Sequence, residues 1–194
     1  MVRDTVKIEK RIMELESQME RVMALSRSVI RTSGKSMTAM HVKDAGRAKD
    51  LLAQASRMVS ELRSAERGME HYSMQAHQEY AEAMILHSVL GRGKIPTASE
   101  IGEAEIPYLL GLMDSVGELK REAFESMRAG RLKEASRYYA IMLDIYDSTA
   151  HFRFANSIVP EFRRKQDVAR IQLESAISEL VSLEKQEQMR KGKI

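Results

Sequence analysis

The chain has 194 residues, 43 % apolar and 30 % charged, with a formal net charge of +3. That balance excludes an intrinsically disordered chain and suits a single domain, spanning 1–194, that buries its own core. The absence of cysteine excludes disulfides and thiolate zinc sites. The first residues, MVRDTVKIEKRIMELES, carry too many charges for a signal peptide, and the longest apolar run, near IPYLLGLM, is too short for a bilayer. A cytoplasmic protein with no membrane role is expected.

Aromatics make up 5 % and proline occurs three times, while Ala, Leu, Met, Glu, Arg and Lys dominate. These are strong helix formers, so the predicted class is all-α, an antiparallel bundle of about seven helices. The first helix is predicted from Asp4 to Ser33, with Gly34 as the breaker. The second covers Val42 to Arg63, and the third runs from Ala65 to just before Gly91-Arg-Gly93. Thr97 followed three residues later by Glu100 is a capping box and predicts a short fourth helix. Pro107 opens the fifth, at its first position, and the helix ends near Arg128-Ala-Gly130. The sixth spans Leu132 to Ser148, and the last runs from Pro160 to Gln188. In that last helix Ala169, Leu173, Ala176, Leu180 and Leu183 form an a/d seam. The tail from 189 to 194 is expected to fray.

The stretch His77–Ala83, HQEYAEA, places two carboxylates among apolar neighbours. With Glu79 at zero on a helical wheel, Tyr72 and Leu90 fall within about 20°, Leu86 about 20° to the other side, and Ala83 about 40° away. Glu82 lies about 60° off. Glu79 is thus predicted inside an apolar stripe, where a carboxylate needs a partner or a metal. A second acidic pair, Asp114 and Glu118, sits one turn apart on the fifth helix and shares a face with Gly111, Gly117 and Arg121. Spacing alone makes this second pair ordinary surface charge, with Arg121 relieving the repulsion. Together, the two pairs offer hard oxygen ligands of the kind that suit Mg²⁺ or Mn²⁺. The di-iron alternative needs Glu-x-x-His, and neither Glu79 nor Glu82 has a histidine three residues on.

Arg27, Arg31 and Lys35 make a basic row if the first helix persists past Gly34, suited to successive phosphates or to a solvated edge. Arg153, Arg163, Arg164 and Lys165 form a second basic region. Tyr138, Tyr139, Phe152 and Phe154 could stack on bases, although aromatics in a bundle are more often core. The histidines at 41, 71, 77, 87 and 151 have no metal-site spacing and read as structural, and no phosphate-binding loop or nucleophile elbow occurs.

Two of these segments resemble a known family. Gln78–Ala83, QEYAEA, resembles the QEYVEA segment of translin-associated factor X (Trax), and Pro107–Leu119, PYLLGLMDSVGEL, resembles its YLLG-x-x-D-x-x-GEL segment. More loosely, Ser26-Arg27 with His41 resembles the SRD…H pattern of the first helix, and Ile145-Tyr146-Asp147 resembles VYDGF. The resemblance runs from about residue 20 to about residue 185 and implies an all-α, seven-helix fold that assembles into a hollow octamer around nucleic acid.

The Trax branch implies a Mg²⁺-dependent endoribonuclease of single-stranded RNA, and the sequence leaves the choice among RNA, DNA and an RNA–DNA hybrid open. Its catalytic and metal-holding acids fall here on Glu79, Glu82, Asp114 and Glu118. Arg27, Arg31, Lys35 and Arg121 are the candidate RNA-binding residues. The translin branch implies the same fold binding single strands without cleavage, and lacks the full acidic set. The chain lacks the long insertion and extended tails of eukaryotic Trax, so it resembles a prokaryotic, archaeal form that self-associates. A shared metal site requires the third and fifth helices to bring the four acids within about 4–8 Å of one point.

Overall fold

The computed structural model describes residues 4–192, and no strand occurs among them. Seven α-helices follow one another: α1 (Thr5–His41), α2 (Ala45–Ala65), α3 (Met74–Arg92), α4 (Ala98–Ile101), α5 (Glu105–Arg128), α6 (Leu132–Thr149) and α7 (Phe162–Lys191). A 3₁₀ turn, Glu70–Tyr72, precedes α3. Contacts divide the chain into two units, one ending at Tyr108 and the other beginning at Leu109, with α5 running from the first into the second.

In the first unit α1 and α2 pair along matching small-residue seams. Val22, Ser26, Val29, Ser33, Ser36 and Met40 are buried on α1, and Ala48, Leu52, Ala55, Val59 and Leu62 on α2. Both sets step by three and four, the spacing of side chains that interlock between neighbouring helices. The pairing is antiparallel: Gln18 Nε2 donates to the Ala65 carbonyl, whereas Thr32 lies against Met58. Tyr80 and Ala76 of α3 complete this core.

The first helix does not break at Gly34. It continues to His41, and a Cβ at Gly34 would meet nothing within 4 Å, so no contact forces a turn there. The chain turns instead at Lys43, which takes the left-handed conformation (φ 62°) usually left to glycine. Asp44 then caps α2 by accepting from the Arg47 amide at 3.0 Å. The predicted continuation of helix from Ala65 is also absent: Gly68 turns left-handed (φ 79°), and α3 starts only at Met74. The capping box at Thr97 and Glu100 forms as expected. Pro107 is the third residue of α5 rather than its first, still inside the first turn, where no amide is missed.

In the second unit α6 and α7 pack by the same rule. Ala135, Tyr138, Met142, Ile145 and Thr149 are buried on α6. On α7 Ala169, Leu173, Ala176 and Leu180 are buried, and Leu183 is half-buried. Gln166 Nε2 ties the start of α7 to the Thr149 carbonyl at 2.8 Å. α7 starts at Phe162 and stays helical to Lys191, past the predicted end at Gln188, while residues 193 and 194 of the tail lie outside the described residues. Among the described residues no helix is long and apolar enough to cross a membrane.

Candidate functional site

The acidic pair of the first unit lies on α3, which packs mainly against α1. Glu82 is buried at 8 % exposure, while Glu79 is only half-buried. This reverses the expectation that Glu79 would be the internal carboxylate. The wheel assumed a single apolar stripe, but α3 is covered on most sides, with Ala76, Tyr80, Ala81, Ala83, Ile85, Leu86 and Val89 all buried. Tyr72, taken as part of that stripe, belongs to the preceding 3₁₀ turn and is 40 % exposed.

Both acids of α5 are half-buried, and Asp114 faces α7. Asp114 Oδ1 accepts from Lys165 Nζ at 2.5 Å, with the two side chains 26 % and 12 % exposed. The expected partner, Arg121, is exposed at the helix surface. Gly117 makes this approach feasible. A Cβ there would stand 3.1 Å from Gln172 Nε2, closer than a side chain tolerates without displacing its neighbour. Lys165 and Gln172 are two turns apart on one face of α7, so one helix edge reads both positions. A further acid, Glu122, one turn past Glu118, is buried at 1 % exposure. Its nearest sequence signal is the i, i+4, i+8 row it makes with Asp114 and Glu118.

Each unit therefore supplies two carboxylates one helical turn apart. Among the described residues no group of three or more histidine or acidic side chains is arranged to hold a metal ion. An all-oxygen donor pair still fits Mg²⁺, which keeps most of its waters and is commonly held by one or two carboxylates plus a substrate phosphate.

A second polar cluster was not legible from spacing. His77 of α3 is buried between two carboxylates: Nδ1 lies 3.0 Å from Glu103 Oε2, and Nε2 lies 2.9 Å from Glu66 Oε2. Arg63 Nη2 donates to the other Glu103 oxygen at 2.7 Å. Burial pulls the His77 pKa down, but the hydrogen bonds and charges of Glu103 and Glu66 outweigh it and leave it raised. An imidazolium satisfies both acids at once, and the cluster clamps the end of α2, the start of α3 and the segment after α4.

The basic row is present because α1 does not stop. Arg27, Arg31 and Lys35 are exposed and follow at one-turn intervals. The second basic region is largely engaged within its own unit. Arg164 pairs with Glu161, Arg163 with Asp167, and Arg153 donates to the Ala150 and Phe152 carbonyls. Tyr138 is core, whereas Phe152 and Phe154, in the connection between α6 and α7, pack with the buried Phe162 that opens α7.

An all-α protein with paired acids on α3 and α5 is the class these features define. The chain belongs to the Translin family, whose model matches residues 3–176. It is 33 % identical over 171 residues to the uncharacterised protein MJ0175 of Methanocaldococcus jannaschii, covering 86 % of this chain and 77 % of that one. Among solved structures, apo-NeC3PO superposes with a TM-score of 0.86 at 19 % identity, covering 94 % of this chain and 98 % of that one, a likeness of fold. AfC3PO in complex with duplex RNA gives a TM-score of 0.86 at 26 % identity, covering 92 % and 95 %. AfC3PO alone gives 0.81 at the same identity and coverage. The all-α fold expected from the sequence is thus the fold of these proteins.

Proposed function

We propose that this chain is a cytoplasmic Trax-like endoribonuclease that cleaves single-stranded RNA inside a hollow homo-oligomer, an octamer. The observation that carries the reading is the buried carboxylate Glu82, beside Glu79 on α3, matched by Asp114 and Glu118 one turn apart on α5. A carboxylate has oxygen lone pairs enough to share a cation with its partners in the protein, and two acidic pairs offer the hard oxygen donors that such a cation takes. Glu79, Glu82, Asp114 and Glu118 would hold Mg²⁺, or Mn²⁺, which when bound supplies charge stabilisation to a phosphoryl oxygen and an activated water. One of the carboxylates would take a proton from the attacking water as its oxygen bonds to phosphorus, while the P–O bond to the departing sugar oxygen breaks and that oxygen picks up a proton. Arg27, Arg31, Lys35 and Arg121 hold the RNA backbone. The likeness to AfC3PO, solved with duplex RNA, supports a nucleic-acid partner. Self-association is supported by the first turns of α1, where Ile8, Ile12 and Leu15 share a face and are exposed within the chain.

The test replaces Glu82 with Ala and follows cleavage of a single-stranded RNA with Mg²⁺ or Mn²⁺. A loss of at least about a hundredfold with binding retained is the expected result, the scale of removing a catalytic group. Unchanged turnover refutes the assignment. The ion pair between Asp114 and Lys165 favours a second reading, a binder of single-stranded DNA or RNA that does not cleave, because a lysine already occupies one oxygen of the acid. That reading requires salt-sensitive binding and no metal-dependent product.

A further inference from the structure

The far end of α3, the loop after it and α4 enclose a cleft of about 500 Å³, within the usual range of small-ligand sites. Its floor is apolar, made by Met84, Ile95, Pro96 and Ile101. Its rim carries two cations, Arg92 and Lys94. The one acid on the lining, Glu100, is engaged in the cap of α4, where it accepts from the Thr97 amide at 2.6 Å and the Thr97 hydroxyl at 3.0 Å. Glu100 keeps its charge there, but two cations against one carboxylate leave the rim positive, and a further cation, Lys49, acts on His87 at the wall. Met84 and Ser88 lie about 160° to 120° around α3 from Glu82, so this cleft opens away from the buried acid.

We propose that this cleft is a second ligand site, for a nucleoside monophosphate, separate from the acidic pairs. The apolar floor takes the flat base, and the Met84 sulfur suits the edge of an aromatic ring. Arg92 and Lys94 take the phosphate, Arg92 by its planar fork. His87 is half-buried, and burial first, then Arg92 and Lys49, hold its pKa below the ordinary value. Its neutral ring offers one donor and one acceptor to a base edge. The Gly91 wall carries no side chain, and a Cβ there would meet nothing within 4 Å, which keeps the cleft open. The same chemistry recognises a free nucleotide or the phosphorylated end of a strand.

Calorimetric titration of the full chain with AMP, CMP, adenosine and inorganic phosphate tests the site. The two nucleotides are expected to bind saturably, and adenosine and phosphate each at least about tenfold more weakly, because each offers only half of the recognised chemistry. Arg92→Gln with Lys94→Gln should weaken AMP by about tenfold or more. Gly91→Leu places a good helix former in α3 and fills the cleft, so it should keep the helical signal and lose AMP binding. Glu82→Ala should bind AMP as the wild type does. Displacement of AMP by a 5′-phosphorylated trinucleotide, in the Glu82→Ala background, assigns the site to strand ends; failure to displace assigns it to the free nucleotide. The proposal is overturned if no nucleotide binds saturably, if Gly91→Leu binds AMP normally, if phosphate matches AMP, or if Glu82→Ala abolishes AMP binding.

Discussion

Lys165 of α7 holds Asp114 of α5 in an ion pair at 2.5 Å, across 51 residues of sequence. The acid that the family resemblance assigns to metal binding thus already has an internal cation. A divalent ion arriving at Asp114 must share the carboxylate with that ammonium or displace it. Lys165→Gln removes the competitor while keeping a hydrogen-bond donor. The Mg²⁺ concentration that half-saturates cleavage should fall by about fivefold, the equivalent of roughly 1 kcal/mol for a partly exposed pair. A metal titration of cleavage rate reads this directly, and an unchanged midpoint means that Asp114 does not meet the ion.

The basic row of α1 should act through charge. Each contact between a side chain and a phosphate releases counterions, so Lys35→Ala should make the plot of log affinity against log salt shallower by about 0.7 on a single strand. The loss should be similar for strands of any sequence. Filter binding of two unrelated RNAs across a salt series checks both statements. A loss confined to one sequence would mean that Lys35 reads a base.

The His77 clamp makes a pH-dependent contribution to stability. Its folded pKa is raised, so the stabilisation is complete below the ordinary histidine value of about 6.5 and is lost as pH rises through the raised value. His77→Gln can still hydrogen-bond but cannot carry charge. At pH 6 it should be less stable by about 2 kcal/mol, the scale of a hydrogen bond to a charged group. The gap between variant and wild type should narrow steadily toward alkaline pH. Denaturant unfolding at several pH values measures it, and a constant gap would show that the His77 pKa is the same in the folded and unfolded states.

Two neighbouring positions of α1 can be improved. The Ser33 hydroxyl is fully buried and, among the described residues, has no hydrogen-bond partner, so Ser33→Ala should stabilise by about 1 kcal/mol. Gly34 sits in the interior of a helix with open space where its Cβ would be, so Gly34→Ala should add about 0.5–1 kcal/mol. Thermal unfolding of each variant decides. A destabilised Gly34→Ala would show that the helix bends at that residue.

What could be read from the residues was what local chemistry determines. The capping box at Thr97 and Glu100 and the seam of α7 involve neighbours within a few residues, and both took the form their spacing dictates. Gly34 failed as a stop because glycine only permits a break; the break needs a cap beyond it, and Asp44 provides the cap ten residues later. Glu79 and Glu82 were ranked in the wrong order because a wheel needs one solvent face as reference, and α3 has little. The partners of His77 stand 11 and 26 residues away, and that of Asp114 stands 51 away, separations that no periodicity encodes. Which acids the fold buries was therefore a tertiary outcome.

Gly117 carries no charge and makes no bond through a side chain, yet it leaves the space on α5 into which the Gln172 side chain of α7 packs. Its neighbour Gln172 and the cation Lys165 ride on the same edge of that helix. Adding a single methyl group at 117 would make the end of the Gln172 side chain give by a few tenths of an ångström, beside the edge that carries Lys165. If Asp114 meets an external cation, its hold on that ion is then open to adjustment from a position that never touches it, through the room left for one glutamine side chain.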